Sequence, residues 1–250
     1  MAGQTLLVGL AHPDDEVGAA GTMLAQRARG DRVVVVWLTR GEMTEAFGPI
    51  PQAEVARIRE EQGHQAGEIL GVETRFLDLP DTGLVADPQT ARRVAHLIAE
   101  IKPDAVLTWG DAWGRGMRHP DHQASGKIFR DAITLARIAK IVGPAAPHRG
   151  AAPVFTYRGA HSTLPAVAVD VEPYVDTIFK LADFYRERIG FGERAWLEAR
   201  LRSQGAQYGV RYAEVFDAWE TDPGVVQSLL PASIAASEPP HPDREEEIPL

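Results

Sequence analysis

Apolar residues fall into short runs separated by amphipathic stretches. Residues 5–11 (TLLVGLA) and 33–38 (VVVVWL) are nearly uninterrupted apolar segments, the pattern of strands buried on both faces. Between them, 17–29 predicts a helix closed by Gly30-Asp31, and 53–70 predicts an amphipathic helix ended by Gly71. A strand near 74–78, a helix near 88–101, a strand at 104–109 and a helix at about 120–139 follow. Beyond residue 150 the pattern weakens, with strands near 153–157 and 166–171 and helices near 173–188 and 193–206. This alternation predicts an α/β fold: one Rossmann-like domain, a mostly parallel sheet with right-handed crossovers and helices on both faces. The domain is expected over 1–230. Residues 231–250, rich in Pro and Glu without apolar periodicity, are expected to form a flexible tail.

Composition narrows the chemistry. The chain has 250 residues, 44% hydrophobic and 24% charged, enough for a large core. It has no cysteine, so disulfides, thiolate zinc sites and cysteine nucleophiles are excluded, and any metal must be held by histidine and carboxylate. The net charge of −9, from 26 basic and 35 acidic residues, argues against a nucleic-acid partner. No apolar stretch approaches the roughly 18 residues of a membrane span. Met1-Ala2-Gly3-Gln4 runs into the first strand without a basic leader, so a cytoplasmic location is expected.

Two motifs stand out: Ala11-His12-Pro13-Asp14-Asp15-Glu16 and His119-Pro120-Asp121-His122. Each follows a predicted parallel strand and precedes a helix. In open α/β sheets, ligand sites lie beyond the carboxyl ends of strands, where strand order reverses. His12 and Asp15 are three apart in a tight turn and can meet one ion; His119 and His122, also three apart around a helix start, can face the same pocket. Catalytic zinc commonly takes three such ligands and leaves a position for water. Asp14 and Asp15 could instead be helix-capping acids, but three consecutive acids pack like charges where one cap suffices, and a cation removes that repulsion. His241-Pro242-Asp243 is an internal control: no strand precedes it, and it is assigned to solvent.

These motifs resemble those of the LmbE-like, or PIG-L, family of zinc-dependent N-acetylglucosaminyl deacetylases. Thr39-Arg40-Gly41-Glu42, Arg59 eleven residues before Leu70-Gly71, and Leu79-Pro80-Asp81-Thr82-Gly83-Leu84 match further family features. Gly209-Val210-Arg211-Tyr212-Ala213-Glu214-Val215-Phe216 is similar to the bacillithiol-pathway branch, and the resemblance covers roughly 5–217. It implies His12, Asp15 and His122 as metal ligands, Asp14 as general base, and His119 as oxyanion stabiliser, oriented by Asp121. Arg59 and Asp81 match substrate-contacting positions, and His161 matches a histidine near the pocket. Two departures bear on substrate: Gln62 stands where the family often has Glu, and 110–118 lacks a catalytic tyrosine, leaving Trp113, Arg115 or Arg118 to shape that side.

The implied reaction is removal of an N-acetyl group from an N-acetylglucosamine-type conjugate by activated water, with Zn2+, or Fe2+ in its place. Expected partners are that small conjugate and further copies of the chain in a homo-oligomer. Three other readings have the same ligand types or fold: an amidase for a different acyl group, a non-haem iron enzyme, and a non-catalytic nucleotide- or sugar-binding module. The last lacks a G-x-G-x-x-G after the first strand. His64, His96 and His148 are expected outside the site, and Trp196 and Trp219 as packing groups rather than sugar platforms.

Overall fold

A computed structural model describes residues 3–110, 119–159, 161–220 and 224–230. The expected tail, the control motif at 241–243 and Arg118 with its loop lie outside these residues.

The described residues form an eight-stranded sheet in the order β3-β2-β1-β4-β5-β7-β6-β8. Its strands are β1 (Thr5–Leu10), β2 (Arg32–Trp37), β3 (Glu73–Phe76), β4 (Ala105–Thr108), β5 (Val154–Tyr157), β6 (Ala166–Asp170), β7 (Ala213–Ala218) and β8 (Gly224–Val226). The helices are α1 (Ala20–Ala28), α2 (Gln52–Leu70), α3 (Pro88–Ile101), α4 (Pro120–Ala136), α5 (Ala139–Val142), α6 (Val175–Ile189) and α7 (Arg194–Tyr208). The first five strands run parallel, and β7 pairs antiparallel with both β5 and β6. The expected α/β fold with its mostly parallel sheet is therefore the observed one.

Strand alternation splits the core into two layers. Leu6, Val8 and Leu10 join Val33, Val35 and Trp37 beneath α1 and α6. Leu7 joins Val34, Val36 and Leu38 against α3 and α4. A strand covered on both faces has no polar side, hence the continuous apolar runs.

The chain leaves β1 for β2 and β3 on one side, then returns through α3 to β4 on the other side of β1. Strand order reverses between β1 and β4, and both motifs follow these two strands.

The structure differs from the sequence expectation in three respects. The first helix opens with a 3-10 turn, Asp15–Ala19, because Asp14 at φ 102° breaks the helical path before it. The helix expected at 120–139 splits into α4 and the short α5. Strands β7 and β8 complete the sheet beyond the expected six.

Candidate metal centre and catalytic site

Asp15 is fixed first. Its Oδ2 accepts from the backbone amides of Ala11 (3.1 Å) and His12 (3.0 Å) and from Trp109 Nε1 (3.0 Å). That saturates one oxygen and leaves Oδ1, which lies 3.1 Å from His122 Nε2. The Trp109 ring stacks on the His122 imidazole at 3.8 Å and 6°, setting its plane. Burial pushes the Asp15 carboxyl up, but the charges of His122 and His12 outweigh it and hold the group well below the usual carboxylate range.

His12 is the hub. Its Nδ1 is 3.8 Å from Asp15 Oδ2, and its Nε2 lies 3.1 Å from Asp81 Oδ1 and 3.2 Å from Asp121 Oδ2. Burial works to lower its pKa, but Asp121, Asp81 and Asp15 raise it to about 10. The His119 and His122 rings stand 4.5 Å and 5.3 Å from the His12 ring.

Asp14 points elsewhere. Its Oδ2 accepts from Arg59 at 2.6 Å, and Arg59 also donates to the Pro13 carbonyl and to Gln62 Oε1 at 2.9 Å. Gly41, at φ 67°, leaves room where a Cβ would press on the Arg59 guanidinium. Burial raises the Asp14 pKa, Arg59 lowers it and Asp15 raises it, giving about 6. Arg59, expected at the substrate, does line the cavity, but its guanidinium is engaged with Asp14. Gln62, neutral where the family often has Glu, binds it without competing for its charge.

The third acid leaves the site altogether. Glu16 is fully buried, accepting from the Asp14 amide (2.8 Å), Trp37 Nε1 (3.2 Å) and Tyr185 OH (2.5 Å). Burial lifts its pKa to about 7. The three acids therefore do not crowd one cation, as their adjacency suggests; they point in three directions.

Asp121 also differs from expectation. Its carboxylate accepts from the Thr82 and Leu84 amides at 2.7 and 3.2 Å and faces His12. It braces His12, not the His119 ring. His119 Nδ1 instead accepts from the Asp121 amide at 3.3 Å as the N-cap of α4, which leaves the proton on Nε2. Burial, aided by the charge of His12, lowers the His119 pKa, so a neutral imidazole still presents a donor.

Donor nitrogens of His12, His119 and His122 lie within 4.8 Å of one another, as do donor atoms of His12, Asp81 and Asp121. Asp81 Oδ1 is buried, and its close approach to His12 Nε2 is not a well-directed hydrogen bond. Imidazole and carboxylate donors with one such oxygen suit a divalent ion of borderline softness, so these residues fit a bound metal. The expected set His12, Asp15 and His122 is not itself one of these groups: Asp15 meets His122 Nε2 through Oδ1 at 3.1 Å and lies 3.8 Å from His12 Nδ1 through Oδ2.

His12, Asp14, Asp15, Asp81, His119 and His122 line a cavity of about 830 Å³ that extends to α7. His161 is exposed beyond β5 and is not among the lining residues. Trp196, expected to pack, is 62% exposed and lines the cavity. Trp219, also exposed, lies under Arg130, donates to Thr156 Oγ1 and is not among the lining residues. Sequence reasoning missed Tyr157, whose hydroxyl donates to the Asp15 carbonyl at 2.9 Å, and Arg200; neither lies in a motif.

A family model described as PIG-L, GlcNAc-PI de-N-acetylase, matches residues 7–133. The chain is 30% identical over 216 residues to a diacetylchitobiose deacetylase of Thermococcus kodakarensis, covering 81% of this chain and 78% of that protein. It is 34% identical over 135 residues to a probable N-acetyl-alpha-D-glucosaminyl L-malate deacetylase 2 of Bacillus anthracis, covering 51% of this chain and 58% of the other. A conserved protein of Thermus thermophilus superposes with a TM-score of 0.73 at 28% identity, covering 88% of this chain and 95% of its own.

Proposed function

The chain belongs to the PIG-L family of de-N-acetylases, and from that premise we propose that it removes the N-acetyl group of an N-acetylglucosamine-type conjugate. The observation that carries this reading is the placement of Asp14: a second carboxylate that lines the same cavity as Asp15 and the three imidazoles and is held by Arg59 at 2.6 Å. A metal-binding module needs no such second acid; a hydrolase needs a base.

His12, Asp15 and His122 would hold the metal, zinc or iron, with Asp81 and Asp121 fixing His12. A divalent ion there lowers the pKa of water and polarises the acyl oxygen. Arg59 anchors Asp14 Oδ2, so Oδ1 is the oxygen left to accept the proton of the attacking water. The water oxygen bonds to the acetamide carbon, and charge develops on the acyl oxygen. His119 Nε2–H donates to that oxygen. Asp14 then passes the proton to the departing nitrogen as the C–N bond breaks, giving acetate and a free amine.

The test is acetate release from a panel of N-acetylglucosamine conjugates, with metal analysis of the purified protein and a chelator control. Release that disappears with chelator and returns with zinc or ferrous iron is expected. No release from any conjugate by metal-loaded protein sinks the reading.

A further inference from the structure

The cavity does not end at the imidazoles. It runs past Tyr157 to one face of α7, where Trp196, Arg200 and Gln204 follow at helical spacing and all line it. Residues four apart share a helix face, so α7 presents an aromatic ring, a guanidinium and an amide in line. Phe191, 51% exposed, lines the same end.

Three arginines of the described residues line this cavity: Arg59, Arg158 and Arg200. Arg59 is paired with Asp14, and Arg158 with Asp217 and the Leu164 carbonyl. Arg200 has no ion pair or hydrogen bond among the described residues, and its Nε is buried without a partner. The carboxylate that acts on its charge is Glu214. That group is already saturated by the Gly21 amide (2.9 Å), the Thr22 amide (2.8 Å) and Thr22 Oγ1 (2.6 Å). The guanidinium is steadied instead by the Trp196 ring, 5.4 Å away. Burial lowers its pKa, a desolvation penalty that an arriving anion relieves.

A half-buried guanidinium with a free fork is the group best suited to bind a carboxylate or phosphate through two parallel hydrogen bonds. We infer that Arg200, with Gln204 beside it and Trp196 and Phe191 as apolar walls, forms a subsite for an anionic group, carboxylate or phosphate, on the aglycone of the conjugate. This rests on the deacetylase reading and specifies its substrate class: the sugar lies over His12 and Asp14, and the charged end of its substituent reaches α7.

The test compares kcat/KM for three N-acetylglucosamine glycosides matched in size, with carboxylate, phosphate and neutral aglycones. Wild type is expected to favour an anionic conjugate about tenfold or more, through KM. Whichever of the two anions is preferred names the source. In Arg200→Gln that ratio falls to near one. Arg200→Lys keeps the charge without the fork and retains only part of the preference. Arg202→Gln, on the solvent side of α7 and paired with Glu198, keeps the full ratio and controls for net charge. Calorimetric binding of the corresponding free-amine products makes the same comparison without turnover, on variants whose circular dichroism matches wild type. Equal rates and affinities across the panel, or a preference that survives Arg200→Gln, overturn the subsite and leave the deacetylase standing. Absent acetate release with preferential binding of anionic amines supports the subsite and removes the reaction.

Discussion

Asp14 occupies a backbone conformation, φ 102°, that a non-glycine residue enters at a penalty of about 1–3 kcal/mol. Two fixed contacts hold it there: its amide on Glu16 and its carboxylate on Arg59. That conformation lets the Asp14 carboxylate meet Arg59 on α2 while Asp15 meets His122, which separates the base from the ligand Asp15. Asp14→Asn keeps this geometry but cannot take a proton. Acetate release should fall about 10²-fold or more while bound metal, measured by elemental analysis, stays at the wild-type ratio; lost metal would mean that Asp14 and Asp15 have exchanged roles. Arg59 also sets the base strength. Gln62→Glu adds a negative charge beside Arg59 and weakens its hold on Asp14, raising a pKa of about 6. The acid limb of the kcat/KM profile should move to higher pH, because more of the base is protonated at any given pH; a limb that stays in place would separate it from Asp14. Of these residues, the motif itself was legible in sequence, but the fate of its third acid was not. Glu16 is sent inward by Trp37 and Tyr185, and Tyr185 lies 169 positions away.

At the scale of elements, the site depends on how closely α4 approaches the sheet. Gly126 faces the Trp109 backbone and Gly9 faces the Phe129 ring, and a Cβ at either place would collide. These two glycines let α4 settle against β1 and the end of β4, bringing His119 and His122 down to His12 and Asp15. Gly126→Ala should shift α4 outward, destabilise by about 1–3 kcal/mol, and weaken metal binding, since two of the imidazoles ride on its first turn. Thermal melts with a zinc competition titration measure both. A lower Tm with unchanged zinc affinity would show that the first turn is held by its own contacts. Strands β1, β2 and β4 were legible because burial on both faces removes polar residues from them. β7 was not, although every residue in it is buried. Its Glu214 and Asp217 are charged groups paired with Thr22 and Arg158, long-range partners that the local pattern does not reveal. Arg200 was missed for a related reason: a cation on a helix looks like solvent face until the cavity beneath it is seen.

For the whole molecule, the site is a store of protons that couples folding to pH and metal. His12 is raised from 6.5 to about 10 in the fold, so its contribution is fully present below about pH 6.5 and lost as pH rises through about 10. Glu16, raised from 4.5 to about 7, acts in the same direction: its contribution is present below about pH 4.5 and lost as pH passes about 7. The metal-free protein should therefore melt at progressively lower temperature as pH rises from about 6 to about 9.5. A metal takes the neutral imidazole, so binding displaces the proton that His12 otherwise keeps. Metal-induced stabilisation follows the free metal relative to its apparent Kd, and that Kd tightens as the competing proton is lost. The gap in Tm between metal-loaded and chelator-treated protein should thus widen with pH over this range. Differential scanning fluorimetry at fixed free zinc measures the gap directly. His12→Gln should flatten the metal-free slope, because the group that carries most of the excess protons is gone. A gap that is constant with pH in the wild type would mean that His12 is already neutral before the metal arrives, and that Asp81 and Asp121 hold it by geometry rather than by charge.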